Sequence, residues 1–239
     1  MKHAIVTGGT RGIGRAIVEA LLREGYFVHA TYAADNAMAE AMRAEVTAPE
    51  RLELRRVDQG QAAAVHDYAR SFVNEGISVD CIVCNAGATL RKPTPEITDG
   101  EWERVMQVGL NAHFYLIRDL WMQIAPNARI VFIGSMMGVL PHSMSLPYGV
   151  MKAAVHALAQ NLVKDFAGTG TTVNVIAPGF VDTDWQLTKP QEIRDNICRK
   201  TAAGRFAHPG EVADAVLFCL HNAFVNGAVI EVSGGYCYK

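Results

Sequence analysis

Short runs rich in β-branched residues alternate with amphipathic helical patterns along this chain, and that alternation limits the fold more than any other feature. The runs at 3–7, 27–32, 51–57, 79–84, 128–135, 171–177 and 228–233 have the length and composition of strands. After the first comes "IGRAIVEALLREG", with Ile13, Ile17, Ala20 and Leu21 on one helical face and Arg15, Glu19 and Arg23 on another. Gly25 stops it, as a glycine just past a helix does well. Similar patterns predict helices over 36–47, 61–75, 99–124, 147–167 and 209–221. Strand and helix in strict alternation imply an α/β fold, with a parallel sheet covered on both faces.

The 239 residues, half of them hydrophobic and 19% charged, suit one domain spanning 1–239 with a real core. No low-complexity linker, charge block or repeat divides them. A formal net charge of −2 offers no basic field to nucleic acid or anionic lipid. The apolar run in "MKHAIVTGG" is too short for a signal peptide, and no stretch nears the roughly 18 apolar residues of a membrane span. A cytoplasmic protein without nucleic-acid or membrane partners is the expectation. Cys81 and Cys84 form a C-x-x-C, but within a strand residues three apart point to opposite faces, and no further ligand pair accompanies them. No metal site is expected. The least regular segment, 180–208, carries Trp185 and Pro190 and begins at a strand's carboxyl end, where open α/β sheets bind ligands. It is expected to be a substrate lid.

Gly8, Gly12 and Gly14 stand as G-x-x-x-G-x-G between the first strand and the first helix. Glycines there let the backbone approach a phosphate, and the helix N-terminus offers free N–H groups. A Walker loop would need Lys and then Ser or Thr after the last glycine; Arg15 and Ala16 stand there instead. Glycines also make tight turns for structural reasons alone, so the rest of the chain has to decide. It carries "TGGTRGIG" (7–14), "NAG" (85–87), Ser135, Tyr148-x-x-x-Lys152 and "PGFVDT" (178–183), in that order.

In these motifs the chain resembles the short-chain dehydrogenase/reductase family over essentially its whole length. The resemblance implies a Rossmann-type doubly wound parallel sheet of about seven strands, with a nicotinamide dinucleotide across the strand tips. It implies cofactor contacts from Gly8, Thr10, Arg11, Gly12, Ile13 and Gly14, then from Ala33, Asp58, Gln59, Asn85, Ala86 and Gly87. Tyr148, Lys152, Pro178, Gly179, Val181 and Thr183 complete the implied set. A carboxylate ending the second strand would hold the ribose of NAD; here Tyr32 and Ala33 occupy that place. Asp35 reads better as a helix N-cap, and Arg11 could neutralise a 2′-phosphate, so NADPH is expected.

Reducing a carbonyl needs a proton for its oxygen. A tyrosine alone titrates near pH 10, and a lysine four residues on, across one helix face, is expected to lower that value. The family matches Ser135, Tyr148 and Lys152 to its catalytic positions; the bland alternative for Tyr148 and Lys152 is an ordinary helix start. One departure stands out: Gly109 occupies the position where the family carries an asparagine that helps hold a water. A mid-helix glycine permits a local bulge; without one, Asn111 would point about 200° away on an ideal helix.

Within the family the chain is most like 3-oxoacyl-(acyl carrier protein) reductases, from "TAAGRFAHPGEVADAVLFCL" (201–220) and "PGFVDTD". Their basic carrier-binding positions fall about Pro126 and Thr169 here, leaving Arg91 and Lys92 as the nearest basic pair. Met136, Met137, Leu140, His142, Phe180, Trp185 and Leu187 are candidates for an apolar acyl pocket. The expected function is NADPH-dependent reduction of a 3-oxoacyl thioester in fatty-acid, polyketide or polyene-type synthesis. Alternatives are reduction of a free sugar, steroid or small ketone, and a catalytically impaired nucleotide-binding scaffold. The family commonly forms homotetramers, which the apolar "FYLIRDLWMQI" and "AAVHALAQNLV" allow.

Overall fold

The computed structural model describes residues 1–141 and 144–238, so His142 lies outside it. Seven parallel strands form one sheet: β1 (His3–Val6), β2 (Phe27–Tyr32), β3 (Leu52–Arg56), β4 (Val79–Cys84), β5 (Ile124–Ile133), β6 (Thr172–Pro178) and β7 (Val229–Val232). Their order is β3-β2-β1-β4-β5-β6-β7. The order reverses between β1 and β4, opening a crevice at their carboxyl ends.

Alternation along each strand sends side chains to both faces. Ala4, Val6, Cys81 and Val83 join one core, with α1 (Gly12–Arg23) and α9 (Pro209–His221). Ile5, Ile82 and Cys84 join the other, with α3 (Ala62–Glu75), α5 (Ala112–Asp119) and α6 (Leu146–Asp165). Cys81 and Cys84 therefore sit on opposite faces, both thiols buried. The short helix α2 (Asn36–Glu45) begins at Asp35, whose carboxylate accepts from the Met38 N–H at 2.9 Å.

Two segments differ from expectation. The single helix predicted over 99–124 is α4 (Asp99–Met106), a widened π-turn over Gln107–Asn111, then α5, and β5 begins at Ile124. The cause of the π-turn region's packing lies on α6. A Cβ at Gly109 would stand 2.5 Å from the sulfur of Met151, whose side chain is fully buried there. The thioether fills the space that a side chain at 109 would use. The segment 180–208 is also more regular than its sequence suggests, holding α7 (Asp184–Leu187) and α8 (Gln191–Lys200). Ile197 is the one buried residue of α8, packing with Phe180, Phe206 and Met136.

This pairing gives a stability test. Gly109→Ala should destabilise by about 1–3 kcal/mol through overpacking, despite alanine's better helix propensity. In a Met151→Ala background the same change should stabilise. Urea denaturation of the four proteins reads the sign reversal, and simple additivity would refute the packing account.

Candidate active site

The turn between β1 and α1 carries Gly8 at φ +65° and Gly12 at φ +52°, backbone conformations that side chains disfavour. No side chain caps the first turn of α1, so its N–H groups remain available to a ligand. The turn is braced from the neighbouring strand tip. Asn85 Nδ2 donates to the carbonyls of Thr7 and Gly8 at 2.9 and 3.0 Å. The hydroxyl of Thr7 in return accepts from the Asn85 and Ala86 N–H groups, both at 2.9 Å.

One cavity of about 660 Å³ opens over this brace. Every residue the sequence put forward for cofactor contact lines it. The glycine turn supplies Gly8, Thr10, Arg11, Gly12, Ile13 and Gly14, and the ends of β2 and β3 supply Ala33, Asp58 and Gln59. Asn85, Ala86 and Gly87 follow β4, while Pro178, Gly179, Val181 and Thr183 lie at and beyond the end of β6. Gln59 is 4% exposed, and neither atom of its side-chain amide finds a partner among the described residues. A buried, unpartnered donor and acceptor on the wall of such a cavity fit a polar heteroaromatic ligand. The long cleft and the open N–H groups at its turn fit a dinucleotide. Asp58 itself accepts from the Gly60 N–H at 2.8 Å and lies 3.6 Å from Arg104, a cavity residue the sequence reading did not single out.

Ser135, Tyr148 and Lys152 meet on the opposite wall. Ser135 lies just beyond β5 rather than at its last residue, and its Oγ accepts from the Met137 N–H at 3.1 Å. Lys152 is 3% exposed and has no carboxylate partner among the described residues. Its Nζ donates to the Ile133 carbonyl at 2.6 Å and lies 5.6 Å from the centre of the Tyr148 ring. Burial draws its pKa down to about 8. Tyr148 is half-buried on the cavity wall, where the surrounding protein desolvates its phenol. That burial pushes the phenol up to about 12, against a hydrogen bond with Ser135 that favours the phenolate. The expectation that Lys152 lowers the pKa of Tyr148 is therefore corrected: desolvation sets the direction, and Ser135, not Lys152, is what opposes it.

Two residues, His156 and His113, and one contact of Trp185 escaped the sequence. His156 follows Lys152 by one more helical turn, and its Nε2 accepts from the Ser135 N–H at 3.4 Å, holding the serine backbone. Trp185 of α7 stands edge-on to Tyr148, ring centres 6.4 Å apart. His113, fully buried on α5, has its charged form disfavoured by burial first and by Lys152 second. The i,i+4 spacing of Tyr148, Lys152 and His156 was the available signal for the first. Of the acyl-pocket candidates, Met136, Met137, Phe180 and Trp185 line the main cavity. Leu140 lines a smaller one beside it, and Leu187 is 71% exposed. The basic pair divides: Arg91 lines the cavity, but Lys92 is held by Glu101 at 2.9 Å.

The family model described as short chain dehydrogenase matches residues 2–194. The 3-oxoacyl-[acyl-carrier-protein] reductase of Escherichia coli is 33% identical over 239 residues, taking in 98% of this chain and 96% of that protein. Among solved structures, a short-chain dehydrogenase/reductase from Serratia marcescens superposes with a TM-score of 0.92 at 30% identity, covering 99% of this chain and 98% of that one. BdcA, solved in complex with NADPH, gives a TM-score of 0.90 at 28% identity, covering 98% and 94%.

A lysine whose pKa is lower folded than unfolded works against the fold below its unfolded pKa. Between about 8 and 10.5 the unfolded chain binds more protons, so this group's contribution rises with pH. Lys152→Met should accordingly raise Tm at pH 7 by about 2–8 °C. A lower Tm would show that the ammonium is better solvated than its burial implies.

Proposed function

The chain belongs to the short-chain dehydrogenase family, and on that premise we propose that it reduces 3-oxoacyl thioesters to their 3-hydroxyacyl forms with NADPH. The observation that carries the reading is a buried phenol, kept protonated beside a serine hydroxyl and a buried lysine, on the wall of a dinucleotide-sized cavity. The Escherichia coli relative and the apolar wall of Met136, Met137, Phe180 and Trp185 support an acyl substrate. Fatty-acid, polyketide or polyene-type synthesis would use such a step.

When bound, the nicotinamide supplies the hydride. The chain's own residues handle the oxygen. Ser135 Oγ donates to the substrate carbonyl and fixes its orientation against Tyr148. The Tyr148 hydroxyl, protonated at neutral pH like any phenol and more firmly so for its burial, gives its proton to that oxygen. Lys152, whose pKa of about 8 lets it lose and regain a proton near neutrality, restores it. His156 keeps the Ser135 backbone in place.

NADPH is favoured over NADH by the end of β2, where Tyr32, Ala33 and Ala34 line the cavity and the first carboxylate that follows, Asp35, caps α2. Arg11, on the cavity wall with no ion pair among the described residues, is the cation for a 2′-phosphate. At the outer end, burial, Arg91 and Arg194 together lower the pKa of Lys189. Arg194 is neutralised by Asp182 at 2.9 Å, which leaves Arg91 and Lys189 for an anionic carrier. Segment 180–208 acts as the lid, with Trp185 closing over the acyl end. A homotetramer and a cytoplasmic location complete the proposal, the former supported by the exposed Phe114, Trp121 and Met122.

The test is NADPH oxidation with acetoacetyl thioester beside a panel of free ketones. Thioester turnover with weak ketone turnover is expected, as is a lower KM for NADPH than for NADH. Tyr148→Phe should bind NADPH normally and lose turnover by on the order of 10³-fold. Preferred reduction of free ketones would move the substrate class, and NADPH binding without turnover on any substrate would identify a scaffold.

A further inference from the structure

The chemistry above leaves His113 unused. It stands on α5 four residues past Gly109, on the same side of the helix across the widened turn. The residue is fully buried, edge-on to Phe132 with ring centres 6.1 Å apart. Within hydrogen-bonding geometry neither ring nitrogen has a partner among the described residues. The backbone of Ala86 and of Gly109 faces the ring and favours its protonated form, as carbonyl oxygens do. Burial first, and the Lys152 ammonium second, oppose that form and push the pKa down to about 3. The ring is thus neutral at physiological pH, with one N–H and one lone pair.

An imidazole with both nitrogens unsatisfied is a poor core filler. Leucine has nearly the same volume and carries no polar atom to desolvate. The chain nevertheless keeps the polar ring beside the lysine that must recover a proton in each cycle. Lys152 has the Ile133 carbonyl as its protein acceptor and is almost closed to solvent, so the returning proton needs an intermediary. A buried polar pocket with a donor, a lone pair and carbonyl acceptors is the setting in which a structural water is stable. The other nearby histidine, His156, already accepts from the Ser135 backbone.

We propose that His113 is a positioning residue for proton return, its imidazole and the Gly109 carbonyl holding a water against Lys152. As Lys152 passes its proton to the Tyr148 phenolate, the water gives one to the lysine amine and regains one from solvent. One solvent proton enters per turnover, matching the one delivered to the substrate oxygen. The inference rests on carbonyl reduction at Tyr148.

The test compares the full-length wild type with His113→Leu and His113→Asn, on NADPH and whichever thioester or ketone the wild type reduces. For His113→Leu we expect kcat to fall by about tenfold or more, both KM values to hold, and the solvent deuterium isotope effect on kcat to grow. Its Tm should equal or exceed that of the wild type, since leucine fills nearly the same volume with no polar atom to desolvate. His113→Asn, which keeps a donor and an acceptor, should recover part of kcat. A kcat within about twofold of wild type with an unchanged isotope effect would overturn the inference. So would a loss of kcat that tracks a lower Tm and leaves the isotope effect unchanged. Absence of turnover in the wild type itself would instead remove the reading of the site, and this inference with it.

Discussion

An ammonium buried with no carboxylate partner among the described residues sets the terms for everything around it. Lys152 has a carbonyl as its protein acceptor, and its charge reaches two buried histidines. Both His113 and His156 are held neutral, by burial first and by Lys152 second. Tyr148, half-buried on the same wall, holds its proton more tightly than a free phenol because its desolvation exceeds what Ser135 offers the phenolate. The result is a graded set: a phenol that keeps its proton, a lysine that can exchange one near neutrality, and imidazoles that carry no charge. Such an arrangement serves proton delivery, and it works against stability, as functional sites commonly do.

The sheet supplies the frame for that set. Because the strand order reverses between β1 and β4, their tips diverge and leave the crevice that the glycine turn borders. Thr7 and Asn85 tie the two tips together through four hydrogen bonds, so the turn approaches a ligand as a fixed surface. Fixing donors in advance removes the ordering cost a flexible loop would add on binding. Across the crevice α6 presents Tyr148, Lys152 and His156 in one row, and α7 brings Trp185 over the first of them.

Much of this was legible in the sequence because it is local. The strand and helix periods gave the parallel sheet, and the β1–α1 glycines and the Tyr148–Lys152 spacing gave the two walls of the cavity. What stayed hidden depends on distant parts of the chain. The sign of the Tyr148 shift follows from burial, which no spacing reports. The sequence showed that Gly109 permits a bulge, but not that Met151, far along the chain, fills its side-chain space. The helix α8 was obscured because it buries only Ile197 and so lacks an apolar stripe. His113 and His156 were visible as residues but not as neighbours of Lys152.

The most direct test of a protonated Tyr148 served by Lys152 is kcat for reduction measured from pH 6 to pH 10 at saturating substrate. Unlike kcat/KM, kcat includes the step that restores the tyrosine's proton after its transfer. The expected profile is flat below about 8 and falls tenfold per pH unit above it, as Lys152 loses the proton it must pass on. A profile that stays flat through pH 9, or one that rises with pH, would contradict a lysine poised near neutrality as the source of the tyrosine's proton.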